Sequence, residues 1–575
     1  MRFASELQRR WGTITGLAAL AALDATAQTT TLASVSGTGV AVQQPSDVGV
    51  ESISGDGRFV VFTNGQALVA GDTNGIDDVF LRDRWLGHTV IVSLPQVGGQ
   101  SNGQSRVPSI SRDGSAIVFS SLASNLVSGD TNGDYDLFVR DRVQGTTERV
   151  NVGPLGAQSF GMEFNPSLSS DGRFVAFASD ASDLVPGDGN AAWDVFVRDR
   201  VQQQTLRIST APGGVDANDN SSTPAISGDG RYVVFNSVAS NLVPGDVNGK
   251  YDAFLFDRVL GSFSLVSVST TGTQGNDTSS EPRVSDDGRY VAFISWASNL
   301  VAGDTNGSSD IFLRDRTSGT TTRVSVGTAG AQANSFSWAP RISSDGRFVQ
   351  FHSAASNLVP NDTNGLFDSF VREIATGQNV RASLAWNGGS INDHVNQSSY
   401  SADGRFVVFT SRASNAAPGV WSTLDRVYVR DVSGVQPQVY CTAAPNSAGC
   451  TPQIDWRGVP SDSAGAAFLV GATNVLPNRR GVLFYGLSGP QSLPLHGGTL
   501  CVAGPVRRTP LQFANALGPP PCTGQFAFDF NRLIASQVDP ALRYGVQVWA
   551  QYWSRDPAST SGSSLTDALA FAIGR

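Results

Sequence analysis

The chain has 575 residues, only 15% of them charged, and carries a net charge of −9 in which every positive side chain but Lys250 is an arginine. No basic run or stripe is present, which argues against nucleic acid and anionic lipid as partners. No stretch reaches the roughly 18 consecutive apolar residues that a membrane-spanning helix requires.

Residues 1–27 have the layout of an export signal. Arg2, Arg9 and Arg10 form a basic start, Trp11 to Leu23 is a modest apolar run, and Ala25-Thr26-Ala27 suits a small-residue cleavage site. The mature protein is therefore expected to be secreted, periplasmic or on the cell surface, without a membrane span and as a monomer.

A repeat follows. Asp-Gly steps at Asp56-Gly57, Asp113-Gly114, Asp171-Gly172, Asp229-Gly230, Asp287-Gly288, Asp345-Gly346 and Asp403-Gly404 mark seven copies, the first interval being 57 residues and the other five 58. A fixed period of this size signals a stacked or radial architecture. Each copy offers four strands. The first ends in Ile-Ser or its equivalent, and the second is an apolar run such as Phe-Val-Val-Phe at 59–62 and 406–409. Asp-Gly between two such runs is a hairpin signal, because glycine accepts the positive φ of a tight turn. The third strand has the form D-x-F-x-R-D (78–83, 136–141, 194–199, 310–315) and the fourth the form T-x-x-V-S-V (146–152, 205–210, 321–326).

The second strand lacks polar alternation, which predicts burial on both faces, as between the blades of a β-propeller. Seven copies of four strands predict an all-β, seven-bladed propeller over residues 28–437. The seventh copy has no fourth strand of its own, and Thr30 to Ser36 (T-T-L-A-S-V-S) matches the missing pattern. That segment is expected to complete blade seven. The S-x-D-G-R-F/Y-V-x-F core and the D-x-F-V-R-D strand resemble the TolB-like, WD-type repeats of bacterial envelope and secreted proteins. The resemblance implies a propeller fold and does not specify a function, since propellers host binding modules and unrelated enzymes alike.

The loop between second and third strands repeats as S-N-L-V-x-G-D-x-N-G-x-x-D. It sets out Asp72, Asn74 and Asp78; Asp130, Asn132 and Asp136; Asp188, Asn190 and Asp194; Asp246, Asn248 and Asp252; Asp304, Asn306 and Asp310; and Asp362, Asn364 and Asp368. Strand parity places these loops on the same face as the connections between blades, so twelve carboxylates are expected to make that face acidic. Such a concentration must be solvated, paired with arginine or bridged by cations. Two readings stand. Carboxylate and amide oxygens on a glycine-containing loop are ligands for Ca²⁺, although Ala70 stands where a further Asp would complete the set. Alternatively the first Asp and the Asn make Asx-turns while the last Asp caps the start of strand three. Ala191, in place of the loop glycine of the third copy, suits the turn better than a tight metal loop. No other cofactor is indicated.

No catalytic constellation is visible. His88, His352, His394 and His496 are scattered, and Gly486 to Pro490 lacks the G-x-S-x-G spacing of a nucleophile elbow. The leading expectation is thus a non-enzymatic binding or scaffold protein with a protein or glycan ligand on the loop face. A ligand site is expected among the most variable connections, 153–165, 213–223 and 386–397. The alternatives are a TolB-like envelope partner and a polysaccharide hydrolase or lyase using Asp216, Asp219, Asp393 and His394. The Arg-Asp-Arg triplets at 82–84, 140–142, 198–200 and 314–316 are expected to form ion pairs between blades.

Residues 438–575 lose the repeat and read as a smaller β-domain, expected to be a sandwich. All four cysteines lie here, and their even number in an exported chain predicts disulfides, the local pairs Cys441–Cys450 and Cys501–Cys522 being the simplest of three arrangements. The motifs Y-C-T…G-C-T-P, L-P-L-H-G-G-T-L-C and Q-Y-W-S-R-D resemble a C-terminal module of secreted planctomycete-type proteins, a resemblance that implies a carbohydrate-binding, surface-attachment or sorting role. Trp549, Tyr552 and Trp553 are expected to be core residues rather than a sugar platform.

Overall fold

The computed structural model describes residues 30–573 except 162, 328–329, 361, 387–388, 418–423, 433–437, 442, 458–459, 461–467, 496–497, 517–520 and 544–545. The signal segment and His496 lie outside the described residues. Seven four-stranded antiparallel sheets follow one another through the repeat region, six of them in plain chain order, as in Ser221–Ile226, Tyr232–Ser237, Asp252–Asp257 and Ser262–Leu265. The seventh takes Val395–Tyr400, Phe406–Ser411 and Arg426–Asp431 and adds Thr30–Leu32 as its outer strand. The register is Thr30↔Arg430, Thr31↔Val429 and Leu32↔Tyr428.

One hydrogen bond shows that this N-terminal strand sits where the other outer strands do. Thr89, Thr147, Thr205 and Thr321 each donate their hydroxyl to a carbonyl of the preceding sheet, at Val35, Leu94, Val152 and Val268. Thr30 does the same to Leu384, at 2.6 Å.

The sheets bury both faces because each apolar run packs against the next copy of itself. Val61, Val79 and Leu81 of blade one pack against Ile117 and Phe119 of blade two, and equivalent clusters join blades two to three, three to four, four to five, five to six and six to seven. Phe406, Val408, Val427 and Val429 of blade seven then pack against Val60, Phe62 and Phe80 of blade one, so the sequence of contacts closes on itself. Each blade also stacks an aromatic pair from its second and third strands, from Phe62–Phe80 at 5.9 Å to Phe409–Tyr428 at 5.5 Å between centroids. Such a pair adds about 1 kcal/mol beyond the area it buries.

The Asp-Gly turns meet the neighbouring blade closely. Gly230 has φ +73°, and a Cβ there would stand 2.2 Å from the ring of Phe174; only glycine satisfies both demands. On this face the repeated ion pair runs within blades, and Arg112 with Asp286 joins two blades. Arg58 reaches Asp83, Arg173 reaches Asp199 and Arg231 reaches Asp257, joining the start of strand two to the end of strand three of the same sheet. The last arginine of the triplet crosses to the neighbour by a different force: Arg142 lies over Phe59 at 4.2 Å and Arg316 over Tyr232 at 5.1 Å, the cation meeting the negative face of the ring. Arg200 with Glu148 is an ion pair that does bridge two blades.

Among the described residues the C-terminal region holds two larger sheets and a two-stranded one, Pro490–Leu495 with Gly498–Val502. One larger sheet is built on Gln438–Tyr440, Ser563–Ala572, Gln547–Arg555 and Arg480–Gly486, the other on Gln453–Arg457, Leu469–Val475 and Gly524–Asp529. Their inner faces share one core containing Val470, Ala472, Leu483, Val548, Tyr552, Leu569 and Phe571. Tyr552 is buried there with its hydroxyl on the Val470 carbonyl, and Trp549 and Trp553 pack on the other side of the strand against Leu500, Val502 and Leu565. The disulfides differ from the local pairing: they are Cys441–Cys501 and Cys450–Cys522, with Cα separations of 6.3 and 6.0 Å. The reason lies in the sheets. Gln438–Tyr440 pairs with Ser563–Ala572, and Gly498–Val502 packs beside that same strand, so Cys441 meets a partner 60 residues away.

Candidate functional site

The loop face was expected to be the functional one, and its repeated motif is resolved blade by blade. The last aspartate of each motif, Asp78, Asp136, Asp194, Asp252, Asp310 and Asp368, is wholly buried. It sits at the first residue of strand three, where the polar residue of the V-S-V segment holds it. Ser93 donates to Asp78 at 2.5 Å and accepts from the Val79 amide, and Asn151, Ser209, Ser267, Ser325 and Ser383 repeat this in the next five blades. The motif asparagine donates to the same carboxylate in every one of the six copies and accepts from a backbone amide two residues on in an Asx-turn. Ala191 keeps φ +52°, close to the +64° of Gly249, so the third loop holds its left-handed turn without glycine, a conformation that costs an L-residue about 1–2 kcal/mol.

Between the first and last aspartates of four blades stands a guanidinium from the fourth strand. Arg149 pairs with Asp130 and Asp136, Arg323 with Asp304 and Asp310, and Arg381 with Asp362 and Asp368. Arg207 pairs with Asp188, Asp194 and also Asp216. In blades one and four the arginine is replaced by Ile91 and Leu265, and a glutamine does the work alone: Gln274 donates to Asp246 at 2.7 Å and to Asp252 at 2.8 Å. Gln100 reaches Asp72. In blade seven Arg426 occupies the buried aspartate position, opposite Ser411 as Asp368 is opposite Ser353, and donates to the Val42 carbonyl.

These carboxylates are therefore not displayed. Asp72, Asp130, Asp246 and Asp362 are buried as well, and the expected acidic face is not made by the motif. Its exposed acids are others, including Asp77, Asp134 and Asp219. Of the two readings, the hydrogen bonds match the Asx-turn and buried-acid arrangement. A guanidinium supplies the positive charge that Ca²⁺ would bring to blades two, three, five and six, and among the described residues no cluster of three or more acidic, histidine or cysteine side chains forms a metal cage. Burial pushes the carboxyls of Asp246, Asp252, Asp310 and Asp368 upward despite these donors.

The carboxylates proposed for catalysis do not converge. Asp216 is engaged by Arg207 on the connection into blade four, and Asp219 caps its neighbour's amide there. Asp393 and His394 lie on the connection into blade seven, where the Asp393 carboxylate takes the His394 amide and His394 Nδ1 accepts from the Phe367 amide at 2.9 Å.

His394 belongs to a cluster that sequence reading did not assemble. Phe336 enters blade six beside Trp338 (centroids 5.2 Å apart); Trp338 meets Phe367 edge-on at 5.1 Å, and Phe367 meets His394 at a tilt of 52° with centroids 4.5 Å apart. Trp338 also meets His352 edge-on at 5.3 Å. Phe336 is 41% exposed, and Trp296 and Trp386, from blades five and six, are each 47% exposed. The equivalents of Phe336 in blades four and five are Asn220 and Thr278, and those of Trp338 are Ser222 and Ser280. The signal was in the register: four aromatic or imidazole rings fall at loop-side positions of one blade.

The second departure from symmetry lies on the axis. The inner strands enclose a narrow cavity lined by Glu51, Arg112, Arg283 and Arg341 among apolar neighbours. Glu51 accepts from the hydroxyls of Ser109 and Ser167, both at 3.2 Å. His352, buried beside this region, is pushed down to about 3 by burial and by Arg341, so it is neutral at physiological pH.

No known family pattern matches the chain, and no curated protein matches it. Solved structures do resemble it. A putative TolB from Agrobacterium tumefaciens is 14% identical, the match covering 60% of this chain and 93% of that one, at a TM-score of 0.33. TolB from Acinetobacter baumannii is 16% identical over 65% and 80%, at 0.31. A chain of the mitotic checkpoint complex is 12% identical over 73% and 97%, at 0.35. The fold described above rests on the chain's own sheets.

Proposed function

We propose that this protein is an exported, non-enzymatic binding protein: a seven-bladed propeller spanning residues 28–437 that presents its loop face to a protein or glycan, followed by a C-terminal β-domain, residues 438–575, that serves attachment. The observation that carries the reading is the blade-six ring cluster. Six loop motifs spend their polar groups on one another, whereas Phe336, Trp338, Phe367 and His394 offer tilted and edge-on rings in mutual contact at the same face, with Phe336 open to solvent. Exposed aromatic surface in one sector is what a ligand recognises, because rings supply contact area at little conformational cost. Export is supported by the four cysteines all being paired, as expected of an oxidising compartment. The attachment role rests on the resemblance to modules of secreted planctomycete-type proteins.

The test uses the full chain on a glycan array and in a pull-down from envelope extract, side by side with Phe336→Ala. Capture by either route that falls roughly tenfold or more in the variant supports the reading. Capture unaffected by the substitution removes the ring cluster from it, and turnover of an arrayed glycan replaces binding with catalysis.

A further inference from the structure

We propose that the axial cavity is a binding site for one small aliphatic monocarboxylate, its carboxylate held by Arg283 and Arg341. The inner segments carry one position at the repeat spacing, Ser52, Ser109, Ser167, Ala225, Arg283, Arg341 and Ser399, and Ala225, Arg283 and Arg341 of this set line the cavity. Five copies are small, and the two arginines are adjacent, so the repeat is broken in one sector only.

Their hydrogen bonding is incomplete. Arg283 is 7% exposed; its Nη1 donates to the Pro282 carbonyl at 2.8 Å, and its Nε is buried without a partner. Arg341 donates through Nε to the Val50 carbonyl at 3.2 Å and through Nη1 to the Pro340 carbonyl at 2.8 Å. Among the described residues neither has a carboxylate within ion-pairing distance. The acids nearby are committed: Asp286 pairs with Arg112, which also donates to Ser344, while Glu51 is held by Ser109, Ser167 and the Leu168 amide. Glu281 and Glu51 act on the two guanidiniums only through space. Burial, followed by the charge of Arg283, brings Arg341 down to about 9, with Glu281 and Glu51 acting in the opposite direction.

Three features choose the ligand. A pair of planar guanidinium forks matches the geometry of a carboxylate. Val50, Ile53, Ile110, Ile226, Val284 and Ile342 line the same cavity and accept an aliphatic body rather than a strongly hydrated ion. Glu51 opposes a second negative charge, which disfavours phosphate and dicarboxylates.

Calorimetric titration of the full chain with isovalerate, and separately with inorganic phosphate, tests this. The expected result is saturable one-site uptake of isovalerate, weakened roughly ten- to hundredfold by Arg283→Gln or Arg341→Gln, and no comparable uptake of phosphate. Glu51→Gln removes the opposing charge and is expected to tighten isovalerate binding, which keeps the test decisive if an arginine variant fails to fold. Absence of saturable isovalerate binding, binding indifferent to the arginine substitutions, or phosphate bound as tightly as isovalerate would each overturn the proposal. The blade-six ring cluster plays no part in these titrations.

Discussion

The third blade carries a charge imbalance that makes an unusual prediction. Arg207 is one cation among Asp188, Asp194 and Asp216, and burial, then the charge of Asp194, pushes the Asp188 carboxyl up to about 6. The folded protein thus holds this proton more tightly than the unfolded chain, whose carboxyl titrates near 3.9. As pH rises from about 4 to 6 the unfolded state releases its proton first, and stability falls across that window. At pH 7 the full difference amounts to about 3 kcal/mol, at about 1.4 kcal/mol per pH unit, and exposure of the surrounding loop reduces the expected effect to about 1 kcal/mol. Asp188→Asn keeps an acceptor for Arg207 while removing one negative charge. It is expected to stabilise the propeller at pH 7 by about 1 kcal/mol, a rise of roughly 1–2 °C in melting temperature for a unit this large, and to flatten the dependence between pH 4 and 6. Differential scanning calorimetry of both proteins at pH 4, 5, 6 and 7 measures both. A variant that melts several degrees lower at pH 7 with the slope intact would refute the idea that blade three holds surplus negative charge.

The Arg–Asp pairs of the opposite face should differ in worth according to burial. Arg405 and Asp431 are 7% and 5% exposed in their side chains, so Arg405→Ala is expected to cost about 3–5 kcal/mol. Arg289, at 42%, pairs with Asp315, and Arg289→Ala should cost under about 1 kcal/mol; equal losses in chemical denaturation would contradict this. The Arg289 hydrogen bond holds the Asp315 carboxyl far below the usual carboxylate range, so this pair's contribution is present above about pH 4 and is lost on acidification. Because guanidinium groups bridge the loop carboxylates in four blades, melting temperature should not respond to EDTA or to stoichiometric Ca²⁺; a rise with Ca²⁺ reversed by chelation would show that the motifs, with Asp246 and its unpartnered Oδ2 the first candidate, take a cation. Non-reducing peptide mapping should recover Cys441 linked to Cys501 and Cys450 linked to Cys522; local pairs would contradict the sandwich topology.

The strands were legible because their information is local. Asp-Gly turns, unbroken apolar runs and a 58-residue spacing require no knowledge of partners, and the third strands lie at the expected positions, Asp78–Asp83 and Asp310–Asp315 among them. What was hidden depends on which strand lies beside which. The arginine that holds each aspartate pair stands on strand four, two places from the strand-three aspartate in the ladder (Phe312↔Arg323, with Asp310 two residues before). A trace of it was readable: Arg149, Arg207, Arg323 and Arg381 occur in copies that keep both aspartates, while blade seven has Leu32 at that position and Arg426 where the buried aspartate belongs. The disulfides were missed for the same reason, since sheet neighbours and not chain neighbours decide them. Arg283 and Arg341 become conspicuous only when the inner strands are aligned around an axis.

Closure of the ring depends on the N-terminal strand lying against Arg426–Asp431 in the register Thr30↔Arg430. Opposite residues of an antiparallel pair bring Cα atoms about 4.5–5.5 Å apart, within the range a disulfide spans, so Thr31→Cys with Val429→Cys should oxidise to an intramolecular crosslink between residues paired in the ladder. Mass spectrometry after mild oxidation should find this crosslink in nearly all of the folded monomer. Free thiols at both positions, or crosslinks only between separate molecules, would contradict a ring closed by its own first strand.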